Sequence, residues 1–406
     1  MDEDRKESGF KERTRVDDAR EALADRVTQL DRTETVAVPE ADARVLAEPV
    51  ESDRNVPDYS RAAMDGFAVQ ASDTFGASDR SPEVLRVVED DPMPGEAVRV
   101  HTGSALPDGA DAVVMIEHTD RFGDEVEVFD ALAEGENVAP VGEDVREGQH
   151  LYDPGHRLRP SDLGLLRSVG IESVSVFEPP SVGVIPTGEE LVEADPGPGE
   201  VIETNSLTVS RLVDRWGGDA TRYDVVTDDP DDLETAIAAA CEEHDVVATT
   251  GGSSVGERDL VPEVVDELGE VFVHGVALKP GHPVALGIVE DTPVVMLPGY
   301  PVACIVNAVQ FLRHAVKWTG ELPVEEPPTN PAMLDRKIPS EPGVRTYARV
   351  RFDSKDGQRV AVPVRAGGSG VLSSVALADG WVEIREGIEG LPEGDLIAVQ
   401  NWEWSA

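Results

Sequence analysis

Cysteine is almost missing from this chain. Cys241 and Cys304 are the only two in 406 residues, which rules out a disulfide framework, and both fall in apolar patterns of helical spacing. They read as buried, reduced thiols of a cytoplasmic protein. Lysine is nearly as scarce, since 6 of the 35 basic residues are Lys and the rest are Arg. No run of basic residues is long enough to form a patch, and 81 acidic residues bring the formal net charge to -46. A field of that sign repels nucleic acid and anionic membranes, so neither is expected as a partner. The chain also lacks any apolar run of about twenty residues, which excludes a helical membrane span. Its N-terminal MDEDRKESGFKERTR has no apolar signal core.

What is present is globular. Hydrophobic residues make up 40% of the chain, enough for real cores, and the length suits roughly three or four units of ordinary size. The acidic excess reads as a solvated surface suited to very high salt, where screening removes self-repulsion. A salt-adapted archaeal source is therefore expected.

The order of patterns suggests how the chain is divided. Residues 1–15 read as a charged, mobile arm, and residues 16–30 have apolar positions at helical spacing, with Asp17 or Asp18 as the cap. Residues 49–140 hold short β-like runs broken by Gly, Pro and Asp, a β-rich insertion. It separates residues 16–48 from 141–178, where Ser161 and Asp162 open a helix that Gly170 ends. These two flanks are expected to form one elongated, split domain. From 179 to 320, strands alternate with helices of ten or more residues, which implies βαβ units and a parallel sheet covered on both faces. Residues 321–331 are rich in Pro and acid and read as a stiff linker. Residues 332–406 are short strands with Gly turns, as in a small β-barrel. The expected fold class is thus α/β plus mostly-β modules in a multidomain chain.

In an open α/β sheet, ligands collect beyond the carboxyl ends of the strands. Three successive strand ends here deliver acids: Glu189 and Glu190 after SVGVIPTG, Asp228 and Asp229 after ATRYDVVT, and Asp259 beyond the loop after DVVATT. Converging oxygen ligands suit Mg²⁺, although Asp is also a good helix cap and acids are common throughout this chain. The loop itself, Gly251-Gly252-Ser253-Ser254-Val255-Gly256, allows close backbone approach and offers N–H and hydroxyl donors to an anion. Lys279 follows an apolar run and precedes Pro280-Gly281, where a compact ammonium suits a phosphate or oxyanion; the plainer alternative is a lysine whose stem packs at an edge. His282 lies beside it and donates when protonated. In VVMLPGYPVAC, Gly299 frees the turn and Pro301 suits the first helical position. Asp65 sits between Met64 and Gly66 in an otherwise apolar stretch, so it must be paired, ligated or at a rim.

Taken together, these segments resemble the molybdopterin molybdenumtransferase family, which includes bacterial MoeA and the gephyrin E domain. The matching motifs are SRAAMDGFAV (60–69), TGSALPDGADAVVMIE (102–117), VGEDVREG (141–148), PTGEEL (186–191), ETNS (203–206), TTGGSSVGERD (249–259), LKPGHP (278–283) and LPGYPV (297–302). The resemblance implies four subdomains in a homodimer, with the active site formed between two subunits. It implies insertion of molybdate into adenylylated molybdopterin, with release of AMP, in the presence of Mg²⁺. By position, Glu190, Asp228 and Asp259 match acids that handle metal, molybdate or pyrophosphate, and Lys279 matches the lysine of the lysine-proline-glycine motif. Asp65, Thr102 and Asp144 match functional positions of the insertion and its exit. Thr187, Gly188, Gly281, Pro298 and Pro301 fall in the pterin-side and anion-side loops. His282 stands where many members carry a second lysine, Gly275 where some are basic, and Tyr300 where asparagine is common. The molybdopterin adenylyltransferase is an implied partner. Scaffolding of the gephyrin kind and adenylyltransferase activity are the competing readings. The β insertion and the terminal barrel disfavour the second.

Overall fold

The computed structural model describes residues 13–252, 260–355, 357–364 and 368–404. Two compact units divide it: residues 1–34, 43–45 and 176–406 form the larger, and 35–42 with 46–175 the smaller.

Helix α1 (Val16–Ala24) belongs to the larger unit and buries Val16, Ala19 and Leu23. It stops six residues short of the expected end. No basic side chain supports its last turn, and the Leu30 N–H is instead taken by the Thr319 carbonyl at 2.9 Å. Neither Asp17 nor Asp18 caps it: Arg15 occupies that position, and Asp17 reaches Nη1 and Nη2 of Arg345 at 2.8 and 2.7 Å. The arm expected through residue 15 is already fixed at Thr14, whose backbone bridges Val276 through bonds to Gly275 and Ala277; residues 1–12 lie outside the described residues.

The smaller unit contains one six-stranded sheet, made by β1 (Gly66–Val69), β2 (Glu83–Val88), β3 (Glu96–Val100), β4 (Ala112–Met115), β5 (Thr119–Phe122) and β6 (Glu125–Val128) in the order β4-β1-β3-β2-β6-β5. Phe67, Val69, Leu85, Val114 and Val126 form its core on one face. Helix α2 (Pro160–Ser168) follows, with Asp162 at its third position accepting from the Arg159 backbone. Asp162 is buried, yet bonds to Arg159 and His156 hold its carboxyl far below the ordinary range against the cost of burial.

The larger unit continues with β7 (Ser181–Pro186), α3 (Asn205–Trp216), β8 (Asp219–Arg222), α4 (Pro230–Glu243), β9 (Val246–Thr250), α5 (Leu260–Leu268), β10 (Glu270–His274), β11 (Leu278–Lys279), β12 (Ala285–Val289) and β13 (Thr292–Leu297). The sheet order is β8-β7-β9-β13-β12-β10. The first four strands are parallel, as a strand–helix alternation requires. Strand β12 runs antiparallel to both its neighbours, β13 and β10, a departure from the all-parallel expectation. No helix separates β10 from β12, and an antiparallel pair needs no crossover.

The apolar helix expected after β13 is not continuous. It runs as α6 (Pro301–Asn307), a π-helical turn (Ala308–Leu312) and α7 (Arg313–Thr319). Five strands then close a barrel: β14 (Thr329–Leu334), β15 (Arg345–Lys355), β16 (Gln358–Pro363), β17 (Gly380–Ile384) and β18 (Leu396–Gln400). They are ordered β15-β16-β14-β18-β17, with β17 returning to β15. The two cysteines are free, Cys304 buried and Cys241 partly so. Among the described residues no helix is long and apolar enough to cross a membrane.

Candidate functional site

Parallel pairing puts the carboxyl ends of β7, β8, β9 and β13 on one edge of the sheet. Register aligns Pro186 with Thr250 and Thr250 with Leu297, so Thr187, Gly251 and Pro298 are the first residues past the edge. Their backbones interlock. Thr187 N–H donates to Thr250 O at 3.2 Å, Gly188 N–H to Val226 O at 3.2 Å, and Gly251 N–H to Leu297 O at 3.0 Å. Gly251 has φ +122°, and a Cβ there would sit 2.1 Å from the Thr187 carbonyl oxygen, so glycine is required. Gly299 packs on Gly251, and Asn205 Nδ2 donates to Gly299 O at 2.7 Å. The structure therefore gathers Thr187, Gly188, Gly251, Gly252, Pro298 and Gly299 into one loop cluster. The buried hydroxyls of Thr187, Thr249 and Thr250 have no hydrogen-bond partner among the described residues. A buried polar group left so is costly, and it suits a site that receives a polar ligand or water.

The acids of this edge divide by role. Asp229 caps α4, accepting from the N–H groups of Asp231 and Asp232. Asp228, its neighbour, does not. Burial first, then the negative charge of Glu190, pushes the Asp228 carboxyl above its ordinary range, while the Glu189 N–H partly offsets this. A carboxylate held back from ionising by burial and a neighbouring negative charge is one whose charged form a hard cation favours. Glu190 lies near enough to Asp228 for its charge to act on that carboxyl. Asp259, Ser253, Ser254 and Gly256 lie outside the described residues. Among the described residues no group of three or more His, Cys, Asp or Glu side chains is arranged to hold a metal unaided. Two carboxylates are enough for Mg²⁺ when water and substrate phosphates supply the remaining ligands.

Lys279 ends β11, which pairs in parallel with Arg345 and Thr346 at the start of the barrel strand β15. Leu278 is buried, but the Lys279 side chain is 60% exposed and its Nζ donates to Glu341 Oε1 at 2.8 Å. Gly281 presses on Asn307: a Cβ would lie 2.1 Å from Nδ2, which donates to the Gly281 carbonyl at 2.9 Å. His282 is half-buried, and burial, followed by the charge of Arg13, holds its imidazole below the ordinary range. That disfavours the protonated donor expected from the sequence at neutral pH. Pro301 takes the first position of α6 after an exposed Tyr300.

In the smaller unit, Asp65, expected to be paired, ligated or at a rim, is exposed and bonded to Thr102. Thr102 donates to Asp65 Oδ1 through its N–H at 2.7 Å and its hydroxyl at 2.9 Å, and His101 Nδ1 lies 3.7 Å from Oδ2. The bonds from Thr102 hold this carboxyl below its ordinary range. Asp144 is exposed, with its N–H bonded to Val56 O at 3.0 Å.

Some participants carried little sequence signal. Glu341 is 62 residues from Lys279, and nothing local marks it. Asn307 did leave a trace, as a polar residue inside an apolar helix. Glu203 and Ser206 of ETNS bond each other at 2.6 Å, and Arg222 donates to Ser206 Oγ at 3.0 Å, which makes that motif a buried brace under α3.

Comparison with known proteins places this geometry in context. The family model for the MoeA N-terminal region, domains I and II, matches residues 14–170. The model for a probable molybdopterin binding domain matches 183–318, and that for the MoeA C-terminal region, domain IV, matches 331–402. A molybdopterin biosynthesis protein of Methanocaldococcus jannaschii is 39% identical over 390 residues, covering 93% of this chain and 94% of its own. The molybdopterin molybdenumtransferase of Bacillus subtilis is 32% identical over 401 residues, 92% of each chain. The crystal structure of a molybdopterin biosynthesis MoeA protein from Pyrococcus horikoshii superposes with a TM-score of 0.83 at 31% identity, over 96% of this chain and 99% of that one.

Proposed function

Since the chain belongs to the MoeA family of molybdopterin molybdenumtransferases, we propose that it inserts molybdate into adenylylated molybdopterin and releases AMP. What carries this is the edge where four parallel strands end, which combines the Glu190–Asp228 pair with an interlocked set of glycine-containing loops. Such an edge binds phosphorylated ligands through backbone N–H groups and a shared cation.

Glu190 and Asp228 would hold Mg²⁺, with Asp259 as the third expected ligand. The ion, when bound, offsets the charge that develops on the pyrophosphate oxygens. The chain's own contribution is placement. The backbone amides of Gly252 and Gly299, which take no part in the interlock of these loops, orient the ligand. Lys279 neutralises an oxyanion, either molybdate or phosphate. Asp65 with Thr102, and Asp144, are assigned to the same reaction by their positions in the family motifs. We extend the proposal to a cytoplasmic homodimer adapted to high salt that accepts its substrate from the adenylyltransferase.

Lys279→Gln tests the assignment. In a reconstituted assay the variant is expected to lose metal insertion by at least tenfold while keeping the wild-type circular dichroism. Near-normal cofactor yield would remove Lys279 from the site.

A further inference from the structure

The ammonium that the proposed reaction needs for an oxyanion already faces an anion. Lys279 Nζ lies 2.8 Å from Glu341 Oε1, and both side chains are well exposed, at 60% and 64%. The pairing is set by backbone architecture. Lys279 is held by the β11–β15 ladder, with Arg345 N–H donating to Ala277 O at 2.9 Å. Glu341 stands on the turn that leads into the same strand. Ser340 N–H bonds Glu389 O at 3.0 Å, Gly343 N–H bonds Glu386 O at 2.9 Å, and Val344 N–H bonds the Glu341 carbonyl at 3.1 Å. Ser340 and Thr346 hydroxyls join across the turn at 2.8 Å. Both ends of the ion pair therefore hang from one rigid frame, while the two side-chain tips remain free to part. The bond from Lys279 holds the Glu341 carboxyl below its ordinary range, so it stays ionised at neutral pH.

We propose that Glu341 is a built-in competitor for the anion at Lys279: its carboxylate occupies the ammonium until an incoming tetrahedral oxyanion displaces it. The inference rests on the reading of Lys279 as the oxyanion residue. It assigns Glu341 a positioning role, exerted through Lys279. A singly charged tethered carboxylate yields more readily to a doubly charged oxyanion than to chloride, because attraction grows with ligand charge. An exposed pair of this kind is weak and easily exchanged, which suits a reversible stopper.

Equilibrium dialysis of the full chain with molybdate alone tests this, at the lowest salt that preserves the folded circular dichroism. Glu341→Gln is expected to bind molybdate about two- to fivefold tighter than wild type, the range that exposed ion pairs allow. Glu234→Gln, a control on an exposed face of α4, is expected to leave affinity unchanged. Lys279→Gln is expected to weaken binding, and the double variant is expected to match Lys279→Gln alone, since the carboxylate then has nothing to block. If Lys279→Gln weakens binding but Glu341→Gln does not tighten it, the competitor role fails and the lysine assignment stands. If Lys279→Gln changes nothing, both fail. Equal tightening in Glu341→Gln and Glu234→Gln overturns the role in favour of general charge removal. Should wild type bind too weakly to measure, binding by Glu341→Gln supports the role, and its absence in both overturns it.

Discussion

At the scale of single residues, the site's acids are distinguished by what each is paired with. Asp229 is satisfied by its helix; Asp228 is set against Glu190. The Asp228 carboxyl keeps its proton to higher pH in the folded chain than in the unfolded one. Stability therefore falls as pH rises through the raised value, and the deficit persists at neutral pH. Asp228→Asn is expected to raise the melting temperature at pH 7 while lowering the reaction rate. Mg²⁺ reverses the comparison. At a hundredfold excess over Kd it is expected to stabilise the wild type by about 2.7 kcal/mol and the variant by much less. Thermal melts with and without Mg²⁺ measure both effects, and equal Mg²⁺ shifts in the two proteins would disconnect Asp228 from the cation. Asp228 and Glu190 were visible in the sequence because strand ends in an alternating chain can be located. Glu341 was not, because an ion pair made across 62 residues by a turn and a two-residue strand has no periodicity to betray it.

At the scale of elements, the helix after β13 is the clearest departure from the sequence. Residues 301–316 read as one apolar helix, and apolar spacing does not reveal a π turn. Gln310 lies within that turn and is only 5% exposed. Its Oε1 accepts from the Tyr347 hydroxyl at 2.8 Å and from the Arg20 guanidinium, and its carbonyl accepts from Arg20 Nε at 3.1 Å. Gln310 thus ties α1 and the barrel strand β15 to the turn. Gln310→Leu is expected to cost about 1–3 kcal/mol, the usual loss when buried partners are left unpaired, as read by urea unfolding. An unchanged midpoint would show these bonds to be dispensable. Gly281→Ala acts on the same helix, because its Cβ would strike Asn307. The turn carrying Lys279 is then expected to shift, weakening molybdate binding several-fold with the far-UV circular dichroism intact; wild-type affinity would show that the turn tolerates the added methyl. The parallel core of the sheet was legible because each strand is followed by a long helix. The reversal of β12 was not, because a strand's apolar pattern is the same in either direction and the connections on both sides of β12 carry no helix to signal a crossover.

At the scale of the whole molecule, charge and fold make separate statements. The net charge of -46 says nothing about architecture and much about solvent. Self-repulsion of that size is relieved only by screening, so circular dichroism is expected to show loss of structure on dialysis from molar salt into dilute buffer. Retention of the folded spectrum would contradict salt adaptation. The fold, by contrast, follows from the order of patterns: a β-rich insertion, a strand–helix alternation and a closing barrel, with relatives that match along nearly the full chain. The most direct measurement supplies the chain with adenylylated molybdopterin, molybdate and Mg²⁺ at high salt and follows AMP release together with formation of molybdenum-loaded cofactor. Release of AMP in proportion to inserted molybdenum, abolished in Lys279→Gln and reduced in Asp228→Asn, is the expected result. Intact adenylylated substrate in the presence of molybdate, or ATP consumption on bare molybdopterin instead, would contradict the assigned function.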